Sequence, residues 1–193
     1  VSAPLYAAKG KQAAETKPEH EPLIREGIAL HDEGKYKEAI ERYDRVLAEN
    51  PDDVFVMYEK AYAQSAAGQH KECNKLAKEA LQYEGINERV RHQLFVARGS
   101  CQDEMGSWKD AIKTYREGLE VYPQSPSLYF NIGVTYYRQK QWKDARASFQ
   151  QALLRDPLHA SSHLMLGNTY GLDELADAMA AMRRMDEIKP VIR

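Results

Sequence analysis

The chain of 193 residues carries 27 Lys and Arg against 29 Asp and Glu, a formal net charge of −2, and 43% of its residues are hydrophobic. This balance leaves no basic excess or stripe of the kind that grips nucleic acid, and no apolar run approaches the length that crosses a bilayer. Two cysteines, Cys73 and Cys101, are too few for a disulfide framework.

Residues 1–19 are rich in Ala, Lys, Glu, Gln and Pro and lack helical periodicity, so a flexible leader is expected there. Val1 to Gly10 reads like the end of a secretory signal, with small residues before a polar mature start. That reading places the chain outside the cytoplasm, periplasmic or extracytoplasmic. A start set by truncation is the alternative, and with it a cytoplasmic location.

From residue 20 a fixed period takes over. Ala39, in Gly34-Lys-Tyr-Lys-Glu-Ala39-Ile, has counterparts in Ala111 and Ala145, which are 34 residues apart. Twelve residues after each alanine stands a proline: Pro51, Pro123 and Pro157. Such a period signals an all-helical repeat array. Its units are 20–53, 54–87 (with Cys73 in the alanine position), 92–125, 126–159 and 160–193. In the last, Ala178 arrives one residue early, and Pro190 again falls twelve residues later. Residues 88–91 are additional, and Asn87-Glu-Arg-Val reads as a helix start capped by Asn87. Repeat three is therefore expected to carry one extra helical turn at its front.

Each unit reads as two antiparallel helices, A and B. Helix A carries a small residue where the two must touch (Gly27, Ala61, Gly99, Gly133, Gly167), and helix B carries another (Ala39, Cys73, Ala111, Ala145, Ala178). Small residues at a crossing let helix axes approach closely. Large apolar residues, such as Tyr43, Tyr115, Phe149 and Met182, fill the space around that contact.

This pattern resembles the tetratricopeptide repeat (TPR) family over roughly residues 20–192, with Tyr129, Ile132, Gly133, Tyr136, Ala145, Phe149, Ala152 and Pro157 of repeat four close to its consensus. Repeat two departs most, with Gln64 where an aromatic is usual and Gly85 in place of proline. The resemblance implies an all-α, right-handed superhelical solenoid of about five units, acting as a non-catalytic scaffold for other proteins. In this family helix A lines the inner face. Carried over by register, the groove positions are Ile24, Ile28 and His31, then Phe55, Tyr58 and Tyr62, then Val96, Ser100 and Asp103. Phe130, Val134, Tyr137 and Arg138 follow in repeat four, and Leu164 and Asn168 in repeat five. Most are apolar, and a helix apolar on two faces needs a second partner. An extended or helical segment of another protein is the expected occupant, with Arg138 and Asp103 as rim charges.

The clamp by which some family members hold the C-terminal carboxylate of chaperone tails has no match. Ile24, Ile28, Glu59, Gln93 and Ala97 stand where it needs amides and bases, and Asn131 lacks companions one repeat earlier. Met179, Met182 and Met185 recur at three-residue spacing in the last helix, and Met185 is the candidate for a terminal interface with a partner or a second copy. Cys73 and Cys101 fall on neighbouring antiparallel helices and read either as a disulfide or as two small buried residues. His159 and His163 have the i, i+4 spacing of a metal pair, but His159 lies in the connection after Pro157 and no acidic or cysteine ligand is near in sequence, so neither metal nor cofactor is expected. No phosphate-cradling loop or nucleophile motif appears. A second function class remains open: a structural subunit of an exported or envelope complex, joined through the leader and the methionine-bearing end.

Overall fold

Helix starts and stops follow the 34-residue punctuation. The computed structural model describes residues 10–172. After a 3-10 turn at Pro18–His20 come α1 (Glu21–Asp32), α2 (Tyr36–Glu49), α3 (Val54–Ala66), α4 (His70–Ala80), α5 (Glu88–Glu104) and α6 (Trp108–Val121). Then follow α7 (Pro126–Arg138), α8 (Trp142–Arg155) and helical residues 160–172. The fold is all-α; apart from two isolated bridges no strand pairing occurs among the described residues. The chain forms two compact units, Val1–Tyr122 and Pro123–Arg193. In the first, each of α1 to α5 packs on its successor, and α3 also packs on α5; in the second, α7 packs on α8.

Local chemistry sets the helix ends. The A helices α3, α5 and α7 start at side-chain caps: Asp53 accepts from the Val56 amide, Asn87 from Arg89 and Ser125 from Leu128. The B helices lack such caps and carry an acid in the first turn instead (Glu38, Glu72, Asp110, Asp144), which favours the helix dipole. Between A and B the backbone turns through the left-handed region at Gly34, Gly68 and Gly106, and in repeat four at Lys140, with φ 60°.

The helix pairs are held by small-against-aromatic contacts. A Cβ on Gly27 would sit 2.7 Å from the Tyr43 ring, one on Gly133 2.5 Å from the Phe149 ring, and one on Gly99 would meet the Tyr115 ring. The rings of Tyr43, Tyr115 and Phe149 are fully buried. Repeat two solves the same contact differently: Ala61 replaces the glycine, Ala77 replaces the aromatic, and both are buried. Cys73, in the first turn of α4, is joined by a disulfide to Cys101 of α5, with Cα atoms 6.3 Å apart.

The leader requires a correction. From Gly10 onward it is docked, not free. Ala13 donates to the Glu84 carbonyl, Glu84 to Lys11 and Ala14 to Asp52, at 2.9, 3.0 and 2.9 Å. The Asn50 side chain donates to the Glu15 carbonyl, and Lys11 pairs with Asp52. The segment thus straps the turn between repeats one and two to the turn between two and three. Inter-repeat turns present backbone groups that the helices leave unpaired, and an extended peptide satisfies them without needing helical periodicity.

Candidate functional site

The face built by α1, α3 and α5 brings together four of the nine expected groove residues of the first unit: His31, Phe55, Tyr58 and Tyr62. On α3, Phe55, Tyr58 and Tyr62 follow at three- and four-residue spacing and share one side. The opposite side, with Met57, Ala61 and Gln64, is buried. Phe55 is 37% and Tyr62 48% exposed. Tyr62 stacks on His31 of α1 with ring centroids 4.7 Å apart, His31 contacts Tyr36 at 5.3 Å, and Tyr58 lies 6.2 Å from Tyr62. Four rings therefore form a continuous strip across two repeats.

A cavity of about 550 Å³ opens beside this strip, lined by Phe55, Tyr58, Glu59, Asn87, Arg89, Val90 and Gln93. Its far wall is the first part of α5. At 17 residues this helix is four longer than α3 or α7, and residues 88–91 supply the difference. Burial pushes the Glu59 carboxyl up to about 6; the Asp32 charge adds to this and Arg89 opposes it. Burial also raises the Tyr58 phenol, with Glu59 adding to the shift. No hydrogen bond or ion pair reaches Glu59 among the described residues. A smaller hollow of about 230 Å³ is lined by Ala13 to Thr16 of the strap and shares Phe55, Asn87 and Val90 with the larger one.

One expected groove residue of α1 is not open. Ile24 sits in the core cluster with Ala39, Tyr43, Val46 and Val56, because it shares the Gly27 side of α1 that α2 and α3 cover. Ile28, one turn further on, is partly buried against the same cluster. Asp103 is also buried and is no rim charge: α5 packs against α3, α4 and α6, which leaves it little free surface. Val96 and Ser100 are half-buried, with the Ser100 hydroxyl 3.3 Å from that of Tyr115.

In the second unit, Phe130, Val134 and Tyr137 are half-buried and Arg138, Leu164 and Asn168 exposed. Phe130 leans on Phe149 and His159, and Tyr137 meets Trp142 edge-on at 5.3 Å, so both rings take part in packing within that unit. His159 and His163 face separate partners, the Ser162 hydroxyl and the Pro157 carbonyl. Met185, like Met179 and Met182, lies outside the described residues. Arg89 and Val90 were not among the expected groove residues, and Glu59 and Gln93 entered only as positions where the chaperone-tail clamp fails. The four-residue insertion was their signal, since an extra turn on α5 must stand against the side of α3.

Helix pairs in fixed register, with glycine against aromatic at three of the crossings, define an all-helical repeat protein with an open aromatic face. Models described as tetratricopeptide or TPR repeats match residues 30–92, 104–140 and 126–159, and the chain belongs to the tetratricopeptide repeat family. Human Protein O-mannosyl-transferase TMTC1 is 22% identical over 211 residues, covering 92% of this chain and 24% of the relative. Human Tetratricopeptide repeat protein 13 is 29% identical over 121 residues, covering 62% and 14%. The chain thus spans about a quarter or less of the length of these relatives. Among solved structures, MamA 41-end from Desulfovibrio magneticus RS-1 superposes with a TM-score of 0.66 at 13% identity, over 91% of this chain and 99% of that one. TTC0263, a thermophilic TPR protein of Thermus thermophilus, gives 0.61 at 22% identity over 89% and 92%. YrrB, described as a TPR protein with an unusual peptide-binding site, gives 0.57 at 20% identity over 80% and 78%.

Proposed function

We propose that the chain is a non-catalytic scaffold whose first unit holds an extended segment of a partner protein on the α1–α3–α5 face. The observation that carries this reading is the ring strip of His31, Tyr62 and Tyr58, with Phe55 at its end beside the cavity. Rigid aromatic side chains bury much area at little entropic cost, which makes them frequent anchors of binding. The strap supports an extended occupant over a helical one. A piece of peptide already lies extended at the edge of this face, and its hollow shares three residues with the cavity. YrrB, on the same fold, is described as having a peptide-binding site, which agrees with this use of the scaffold. Val134, Tyr137, Arg138, Leu164 and Asn168 form a separate candidate surface in the second unit.

The assembly-subunit reading has less support, because residues 11–15 use backbone groups within their own chain.

Affinity capture from the native source, read by mass spectrometry, tests the proposal. The Tyr58→Ala/Tyr62→Ala variant keeps its far-ultraviolet circular dichroism and loses a partner that the wild-type protein retains. Loss of about 2 kcal/mol, near thirtyfold in affinity, is the scale for two such anchors. Equal capture by both proteins overturns the groove.

A further inference from the structure

We propose that the cavity beside the ring strip is a socket for a lysine or arginine side chain of the bound segment. The inference rests on the groove reading above and adds what the segment must carry.

The lining is chemically uneven. Phe55, Tyr58 and Val90 offer apolar and aromatic surface, and Glu59 places a half-buried carboxyl among them with no ion pair of its own among the described residues. Asp32 of α1 adds negative charge near Glu59. An apolar plug would strip the remaining water from an unpaired acid, which is costly. An anionic plug would meet Glu59 directly, with the Asp32 charge adding to the repulsion. A basic side chain avoids both penalties. Its methylene stem lies along apolar wall, as long basic side chains do elsewhere. Its head meets the carboxylate and the π faces of Tyr58 and Phe55, which attract cations. The cavity, about 550 Å³, has room for such a side chain and the backbone that carries it.

Arg89 is the one base among the lining residues. It is exposed, so solvent screens its charge more than that of the half-buried Glu59. At the rim it admits one cation and disfavours a second beside it, so a single basic residue is the expected motif.

The test is a phage-displayed library of random peptides panned on the whole chain at pH 7.5. Recovered sequences are expected to share one Lys or Arg at a fixed distance from an apolar or aromatic residue. Panning on Glu59→Gln, an isosteric change checked by circular dichroism, is expected to keep the apolar position and lose the basic one. In solution, replacing that Lys by norleucine should weaken binding about tenfold to wild type and under about twofold to Glu59→Gln, the coupling expected of two groups that share the cavity. As pH falls below about 6, wild-type affinity for the Lys peptide should drop while that of Glu59→Gln stays level; Asp32, Tyr43, Tyr58 and Arg89 are the groups that face this carboxyl. Equal loss on both proteins, or no basic enrichment, overturns the socket and leaves the groove standing. Peptides that bind Tyr58→Ala/Tyr62→Ala as tightly as wild type, or recovery of no peptide at all, overturn the groove reading itself.

Discussion

Repeat four and the junction of repeats two and three use the same building plan to different ends. In repeat four, α7 and α8 have 13 and 14 residues, Ser125 caps the entry, Gly133 receives the Phe149 ring, and a turn at Pro157 follows. Arg155 ties the pair together, its guanidinium 4.0 Å from the Tyr129 ring centroid and bonded to the Pro123 carbonyl. At the junction α4 stops after 11 residues, residues 81–87 form a long connection, and α5 runs for 17. Here lie the docked strap, the disulfide and the larger cavity. A regular repeat satisfies its backbone and fills its volume against its neighbours. An irregular one leaves backbone groups and space over, and other segments can take them. The part of a repeat array that departs from its own period is therefore where a particular chain's chemistry should be sought.

The largest expected effect comes from cutting the junction's covalent tie. Replacing Cys73 and Cys101 together by Ala frees a loop with a separation of 28 residues and should cost about 3.6 kcal/mol by loop entropy. Hydrogen exchange resolved by segment is the measurement. Faster exchange in α4 and α5, with α7 and α8 unchanged, sharpens the contrast between the regions. An equal rise in both breaks it.

A smaller loss is expected from Gly85→Ala. Gly85 has φ 71°, a conformation disfavoured for side chains, and a Cβ there would run into the Gln12 amide. The backbone term alone is about 1–2 kcal/mol. The clash falls on the strap, so the amides of Ala13 and Ala14 should exchange faster while the helices keep their protection. Intact protection at those two amides would mean that the strap does not depend on this glycine.

Much of this contrast could be read from the chain. The 34-residue register, the small-against-aromatic crossings and the cap at Asn87 were legible because each is a local preference repeated at fixed spacing. The strap was not. Residues 11–14 bind largely through their backbone, and a Gln-Ala-Ala sequence reveals nothing of which backbone it will meet. Ile24 and Asp103 misled because register assigns a residue to a helix face but not how many neighbours cover that face. Glu59 was legible as a groove position that defeats the chaperone-tail clamp, but not as a half-buried carboxyl, because a lone acid on a helix ordinarily reads as solvated. Only the extra turn of α5, carrying Arg89 and Val90 up beside it, makes its surroundings unusual.

The smallest expected effect lies in the regular repeat and has the opposite sign. Lys140 occupies the turn position held by Gly34, Gly68 and Gly106 in the earlier repeats, and it has φ 60° without being glycine. A left-handed backbone costs an ordinary residue roughly 1–2 kcal/mol, whereas glycine adopts it freely but loses more chain entropy on folding. The difference favours Lys140→Gly by about 0.5 kcal/mol. Thermal unfolding followed through Trp142, the first residue of α8 after this turn, should shift upward by about a degree or two. Gly106→Lys, the reverse change one repeat earlier, should lower stability by a similar amount, since open space surrounds that position and only the backbone responds. If both substitutions destabilise, the Lys140 side chain contributes something beyond its backbone, and repeat four is less regular than its helices suggest.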